Sequence, residues 1–222
     1  MLCGRIGYPL GMNAPPRDPH DPMAAKAQPP FPEIERTLYT REAIAGRVHE
    51  LAAMLCEDLR AELGGDKACR AEVGKIVIMP IMSGAMVFAA DLLREMPLKL
   101  SLGLVAVSSY PGKSLASKGA VISSELPSDL GGKHVVIVDD ILDSGQTIEL
   151  VRQIVGEQKP ASVRACVMLR KDVPRVAKMP DDQLAEYVGF DIPDEFVVGY
   201  GLDYNGYYRN HPEIVTLKRE AL

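Results

Sequence analysis

Apolar and polar positions follow regular spacings along most of this chain, and each spacing indicates a secondary-structure element. After Thr40, apolar residues recur every three or four positions, which is the helical period. They are Ile44, Val48, Leu51, Leu55 and Leu59. Thr40 stands where an N-cap hydroxyl is favoured, and Glu42 stands near the positive end of the helix dipole. The pattern predicts an amphipathic helix after Thr40.

Beyond this helix, short apolar runs alternate with segments of helical periodicity. Strands are predicted at residues 76–81, 100–109, 135–138 and 163–169, and helices at 85–96 and 147–156. Nearly continuous apolar strands interleaved with helices are typical of a parallel sheet covered on both faces. The sequence therefore predicts an α/β fold, a parallel twisted sheet flanked by helices, with ligands at the carboxyl ends of the strands.

The two ends of the chain depart from this alternation. Residues 1–32 are rich in proline and have little apolar periodicity, which predicts a mobile N-terminal arm. A physiological start at Met23 is left open. Residues 33–222 then form the folded domain. Within it, a smaller lobe, or hood, is predicted to be contributed mainly by residues 171–222 and the segment around 33–40.

Composition narrows the classes of partner. The 222 residues carry a net charge of -5, and the pI is near 5.5, which disfavours broad attraction to nucleic acid or an anionic membrane. The apolar runs are shorter than the roughly 20 residues that a membrane helix needs. The four cysteines form no CxxC pair; they are Cys3, Cys56, Cys69 and Cys166. We expect reduced thiols, a cytoplasmic location and small-molecule ligands.

Carboxylates concentrate after the strand predicted at 135–138. Asp139, Asp140 and Asp143 follow its valines, and we expect them in the crevice, because burying three unpaired carboxylates is very unfavourable. The next turn suits a phosphate: Gly145 permits close backbone approach, and the following helix offers free amides at its positive end. The nearby carboxylates then need another partner, such as a sugar diol or a divalent cation. The pattern favours a phosphorylated sugar with magnesium.

This stretch, VVIVDDILDSGQT at residues 135–147, resembles the phosphoribosyl-pyrophosphate motif of type I phosphoribosyltransferases. That motif is an apolar strand, two acids, two apolar residues, Asp, a small residue, Gly, any residue and Thr. The segment FVVGYGLDYN at 196–205, followed by Arg209, resembles the signature of hypoxanthine-guanine phosphoribosyltransferases, and VGFDIPD at 188–194 leads into it as in that family. The resemblance covers roughly residues 38–217 and implies the type I core with a small hood.

The resemblance implies how the sugar and purine are bound. Asp139 and Asp140 would hold the ribose hydroxyls, and Asp143 would exchange a proton with purine N7. The 5′-phosphate would be bound by Asp143, Ser144, Gly145, Gln146 and Thr147. The purine would be bound by Lys171 at O6, by stacking on Phe196 and by the backbone of Val197. A donor at O6 favours 6-oxopurines over adenine.

The resemblance also implies a pyrophosphate end. Asp203 would bind Mg²⁺, Arg209 would bind pyrophosphate, and a loop opening at Ser109 and Tyr110 would close over the site. The residues Ser83 and Gly84 would form the pyrophosphate loop, with Met82-Ser83 as a cis peptide bond. Here serine replaces the family's usual Lys or Arg, so this loop lacks a side-chain cation.

The expected activity is transfer of phosphoribosyl from phosphoribosyl pyrophosphate to hypoxanthine or guanine, with Mg²⁺. Two alternatives stay open: an enzyme that prefers xanthine, and a regulatory protein of the same fold that binds nucleotide or RNA. The acidic charge and the presence of Asp143 disfavour the RNA binder. The resemblance implies a homodimer or homotetramer, and we expect no nucleic-acid or membrane partner.

Overall fold

The structure, a computed structural model, describes residues 31–65, 74–108, 121–122, 127–174, 176–178 and 184–222. The chain divides into two units, residues 1–33 and residues 34–222. Residues 1–30 of the proline-rich arm, with Met23, lie outside the described residues, as do Ser109 and Tyr110. Every element below belongs to the second unit.

The strands form a large sheet and a small one. In chain order they are β1 (Ile34–Tyr39), β2 (Ile76–Met82), β3 (Ser101–Leu102), β4 (Val105–Ser108), β5 (Val121–Ile122), β6 (His134–Leu142), β7 (Ser162–Lys171), β8 (Tyr187–Ile192), β9 (Val197–Val198) and β10 (Ile214–Leu217). The large sheet has the order β5-β4-β2-β6-β7-β8, with β3 also paired to β2. Its pairs are parallel except for β4 with β5. The predicted parallel sheet is confirmed.

Helices cover both faces of the large sheet. They are α1 (Arg41–Glu62), α2 (Met86–Glu95) and α3 (Gln146–Glu157). The apolar faces of α1 and α2 pack with Val136 and Val138, whereas α3 packs with Val135 and Ile137, so successive residues of β6 serve opposite faces. The Thr40 hydroxyl accepts from the Ala43 amide at 3.3 Å, as predicted for an N-cap. Within the described residues, no helix combines the length and apolar character that a bilayer span requires.

The small sheet has the order β1-β10-β9 and is antiparallel. It joins the segment around 33–40 to the end of the chain. β8 lies within residues 171–222, which were expected to contribute to this lobe. It instead pairs in parallel with β7, from Cys166 opposite Tyr187 to Lys171 opposite Ile192. Of residues 171–222, the small sheet therefore takes only β9 and β10, and β8 extends the large sheet.

Candidate active site

The segments predicted to form one site meet at one edge of the large sheet. β2 ends just before Ser83 and Gly84, β6 carries Asp139 and Asp140, and β7 ends at Lys171. These three strands are parallel neighbours, so their carboxyl ends lie side by side. The fold thus brings together segments that are far apart in the sequence.

Asp139 and Asp140 are more enclosed than the sequence predicts. β6 continues past them to Leu142, because β7 goes on pairing with it and places Val167 opposite Asp139. Asp139 is 6% exposed, and Asp140 is partly buried. The expectation that all three carboxylates emerge into the crevice is therefore wrong for Asp139. Asp143, beyond the strand end, is exposed.

This enclosure changes the protonation of the pair. Burial raises the pKa of Asp139 well above its ordinary value, and the charge of Asp140 raises it further. Burial also raises the pKa of Asp140, although hydrogen bonds and the nearby Arg209 guanidinium oppose that rise. The Ile141 amide donates to Oδ1 of Asp140 at 2.9 Å, and the Asp140 amide donates to Oδ1 of Asp139 at 3.1 Å. The pair therefore retains a proton at a pH where exposed carboxyls have lost theirs.

A pH-dependent stability follows from the buried Asp139 carboxyl. Because folding raises its pKa, its contribution to the free energy of unfolding is full below the ordinary value of 3.8 and is lost as pH rises through the folded-state value. Asp139→Asn, which cannot ionise, should therefore melt several degrees above the wild type near pH 8 and lose that advantage toward pH 4. Thermal denaturation of both proteins across this range is the measurement. A melting difference that does not change with pH would contradict the account.

The turn after β6 provides backbone donors for an anion. Gly145 is the N-cap of α3 with φ 75°, and a Cβ at this position would lie 2.8 Å from Cδ2 of Leu184. Glycine is thus favoured here both by backbone conformation and by space. Because it brings no side-chain oxygen to the first-turn amides, those amides can bind an anion together with the hydroxyls of Ser144 and Thr147. Gln146 begins the helix.

Lys171 stands between two carboxylates at the end of β7. Its Nζ lies 3.5 Å from Oδ2 of Asp143 and 3.1 Å from Oδ1 of Asp194. The lysine side chain is 12% exposed, whereas both carboxylates are largely exposed. Asp194 was not among the predicted site residues. Its position follows from the pairing of Ile192 with Lys171, which places Asp194 two residues farther on and depends on the fold and not on local spacing.

Phe196 is available for stacking. Its side chain is 43% exposed, and its ring meets that of Tyr204 edge to face, with 5.4 Å between centroids. Phe196 follows Asp194 by two residues, so its backbone lies within about 7 Å of that of Asp194. Val197 is buried at the start of β9. The exposed ring disfavours the interpretation of Phe196 as a core residue.

The loop after β2 packs tightly against Asp140. A Cβ at Gly84 would lie 1.9 Å from Oδ2 of Asp140, and a Cβ at Gly201 would lie 2.2 Å from the Gly84 carbonyl oxygen. Gly84 therefore lies in contact with both Asp140 and Gly201, and neither glycine has space for a side chain. The Met82-Ser83 peptide bond is cis, as the resemblance implied, and Ser83 is exposed. We call Gly84, Gly201 and Asp140 the glycine stack.

Arg209 and Asp203 form an ion pair next to Gly201. Nη2 of Arg209 lies 2.6 Å from Oδ1 of Asp203, and Nη1 donates to the Gly201 carbonyl at 2.6 Å. The described residues contain no group of three His, Cys, Asp or Glu side chains that could hold a metal. Mg²⁺ commonly uses one or two carboxylates and completes its shell with water and substrate phosphates. Asp203, partly exposed, fits such a carboxylate.

Comparisons with known proteins agree with this geometry. The family described as the phosphoribosyl transferase domain matches residues 42–205. A hypoxanthine-guanine phosphoribosyltransferase of Mycobacterium avium is 39% identical over 189 residues, covering 83% of this chain and 86% of that protein. A hypoxanthine phosphoribosyltransferase of Haemophilus influenzae is 34% identical over 173 residues, covering 78% and 89%.

Solved structures show the same similarity. The hypoxanthine phosphoribosyltransferase of Staphylococcus aureus superposes with a TM-score of 0.72 at 34% identity, covering 85% of this chain and 94% of that one. A mutant of the Trypanosoma cruzi hypoxanthine phosphoribosyltransferase, in complex with the product IMP, superposes with a TM-score of 0.75 at 30% identity. These matches cover 85% and 86% of this chain.

Proposed function

Since this chain belongs to the phosphoribosyl transferase family, we propose that it transfers the 5-phosphoribosyl group of phosphoribosyl pyrophosphate to N9 of hypoxanthine or guanine. The products are IMP or GMP and pyrophosphate, and the reaction serves purine salvage. One observation carries the choice of acceptor: a nearly buried ammonium, Lys171, lies beside the exposed carboxylate of Asp143. A 6-oxopurine presents an acceptor, O6, next to a ring nitrogen, N7, that can carry a proton.

The donor occupies the turn and the acidic pair in this proposal. The amides and hydroxyls of residues 143–147 bind the 5′-phosphate, and the carboxyls of Asp139 and Asp140 bind the ribose hydroxyls. A partly protonated pair suits this task, because it accepts hydrogen bonds from two hydroxyls without placing two full charges beside a phosphate. Asp203 would hold Mg²⁺, which, when bound, neutralises the charge of the departing pyrophosphate.

The chemical step needs charge neutralisation and alignment more than a strong nucleophile. The N9 lone pair forms a bond to C1′ as the bond from C1′ to the pyrophosphate oxygen breaks, and its electron pair leaves with pyrophosphate. The N7 proton passes to Asp143. Lys171 remains paired with Asp194 when Asp143 becomes neutral, so the ammonium keeps its place at O6. Most of the rate enhancement comes from holding base and sugar in line.

Removing the ammonium tests how the base is read. Lys171→Met leaves O6 without a donor, so kcat/KM for hypoxanthine should fall about 10- to 100-fold, the effect of a charged hydrogen bond. The KM for phosphoribosyl pyrophosphate should change little. Steady-state kinetics with each substrate varied in turn gives both values. Lys133→Met is the matched control, because Lys133 is also ion-paired but lies at the amino ends of the strands. Equal losses in the two variants would refute the role of Lys171.

The assay of the proposed function compares four bases. Purified protein with Mg²⁺ and phosphoribosyl pyrophosphate is incubated with hypoxanthine, guanine, xanthine or adenine, and nucleotide is measured by chromatography. We expect IMP and GMP as the main products. Product from xanthine alone would favour the xanthine-preferring alternative. No nucleotide from any base would contradict the proposal and favour the regulatory protein.

We further propose a homodimer or homotetramer that acts in the cytoplasm. Burial raises the pKa of the Cys166 thiol, so Cys166 stays protonated and unreactive. Light scattering on the purified protein measures the assembly. A mass of one chain at all concentrations would refute the oligomer.

A further inference from the structure

The segment 199–201 has an unusual backbone. Gly199, Tyr200 and Gly201 have φ values of 92°, 51° and 102°, so three successive residues lie in the left-handed region. Glycine adopts this region readily, but a bulky residue such as tyrosine rarely does, so contacts elsewhere must hold Tyr200 there. Its amide donates to the His211 carbonyl at 2.7 Å, and the Gly201 amide donates to the Arg209 carbonyl at 3.0 Å.

A side-chain hydrogen bond joins this segment to α2. The Tyr200 hydroxyl donates to Oδ2 of Asp91 at 2.8 Å. Burial, and then the bond to Asp91, raises the pKa of Tyr200, so the hydroxyl remains a donor across the physiological range. Asp91 also pairs with Arg94. We call the bond between Tyr200 and Asp91 the tether.

The tether lies at the edge of a cavity. A cavity of about 520 Å³ lies between α1, α2 and the loop that contains Arg209, and both Tyr200 and Asp91 line it. Tyr200 is itself only 6% exposed and packs within the apolar core, so the bond to Asp91 adds a directional contact to that packing at the edge of the cavity.

The position of segment 199–201 determines where the residues of the glycine stack lie. Gly201, the next residue after Tyr200, lies against the Gly84 carbonyl, and Gly84 lies against the carboxylate of Asp140. The Gly201 carbonyl also accepts from Nη1 of Arg209. A shift of segment 199–201 would thus displace Gly84 and Arg209 together, whereas Lys171 and Asp143 pair with each other at the ends of β7 and β6.

We propose that Tyr200 is a positioning residue: through its hydrogen bond to Asp91, it holds the glycine stack and Arg209 in place at the pyrophosphate end of the site. This inference rests on the proposed function. It places the determinant in a hydroxyl that bonds to Asp91 of α2 and not to a predicted site residue. It also gives a reason why the loop after β2 can bind pyrophosphate with Ser83 in place of a basic residue: contact with Gly201 fixes the position of the loop backbone.

The test compares substrates in Tyr200→Phe, which removes only the hydroxyl. The KM for phosphoribosyl pyrophosphate should rise about 5- to 20-fold, a fraction of the effect of a full charged hydrogen bond. The KM for hypoxanthine should stay within about twofold, because a rigid local shift does not reach Lys171. Asp91→Ala should reproduce this pattern, and Asp91→Asn, which keeps an acceptor oxygen, should restore most of the affinity.

Tyr187→Phe is the matched control. The Tyr187 hydroxyl also donates to a carboxylate, that of Asp58, and burial also raises its pKa, but it lies at the amino end of β8. Tyr187→Phe should lower the melting temperature without changing the KM of either substrate. If Tyr200→Phe does the same, or raises both KM values equally, the positioning role is refuted.

A binding measurement separates this inference from the proposed function. Calorimetric titration of magnesium pyrophosphate into wild type and Tyr200→Phe requires no turnover. Weaker binding in Tyr200→Phe supports the tether even if the four-base assay yields no nucleotide. Equal binding overturns it even if the wild type is an active transferase. If Tyr200→Phe does not fold, Asp91→Ala and Asp91→Asn give the same comparison.

Discussion

Gly84→Ala should reduce kcat/KM for phosphoribosyl pyrophosphate at least about 100-fold, because displacing a substrate-binding group by about 1 Å has effects of that size. The added Cβ would lie 1.9 Å from Oδ2 of Asp140, so the carboxylate or the loop must move. Gly201 closes the other side, with its own Cβ position 2.2 Å from the Gly84 carbonyl. If the loop moves away from Asp140, Gly84 pushes on Gly201, and the carbonyl of Gly201 accepts the hydrogen bond that positions Arg209.

Gly46→Ala is the control for this substitution. Gly46 lies within α1, and a Cβ there would meet nothing within 4 Å. Alanine should raise the free energy of unfolding by about 0.5–1 kcal/mol and leave the kinetics unchanged. Initial rates with phosphoribosyl pyrophosphate varied, together with melting temperatures, measure both effects. Wild-type kcat/KM in a folded Gly84→Ala protein would show that Asp140 does not bind the donor.

Asp143→Asn should lower kcat by about 100- to 10,000-fold, the usual range for loss of general acid-base catalysis. Asparagine keeps the size of the side chain and cannot accept the N7 proton. The KM for phosphoribosyl pyrophosphate should change little, because the backbone of the turn remains. Steady-state and single-turnover kinetics separate the chemical step from binding.

Asp194→Asn is the matched variant for Asp143→Asn. Both carboxylates pair with Lys171, and both are largely exposed, so removing either charge perturbs the lysine to a similar extent. In the proposed function Asp143 alone exchanges the proton, and Asp194→Asn should therefore retain most of kcat. A similar kcat loss in the two variants would mean that the charge around Lys171, and not proton transfer, explains the effect.

The sequence predicts the centre of the large sheet because its signals there are local. The apolar run ending at Val138, the turn around Gly145 and the helix after it each show their character within a few residues. The end of β6 was missed because two aspartates look like a strand end. Pairing with β7 carries the strand past them, and this pairing depends on residues more than twenty positions away.

Long-range contacts limited the other predictions. The strand expected at 100–109 is split into β3 and β4 at Gly103, where a Cβ would lie 2.7 Å from Pro127. The contact of Asp194 with Lys171, and that of Gly201 with Gly84, depend on how β8 and segment 199–201 fold back onto the site. Spacing within either segment carries no sign of them, so the resemblance predicts site residues but not the contacts that position them.

The most direct measurement is a crystal structure of the wild-type protein with IMP, pyrophosphate and Mg²⁺. The account predicts the 5′-phosphate on the amides of residues 143–147, the ribose hydroxyls at Asp139 and Asp140, and O6 at about 2.7–3.2 Å from Nζ of Lys171. A nucleotide bound elsewhere, or a purine ring turned so that O6 faces away from Lys171, would contradict it.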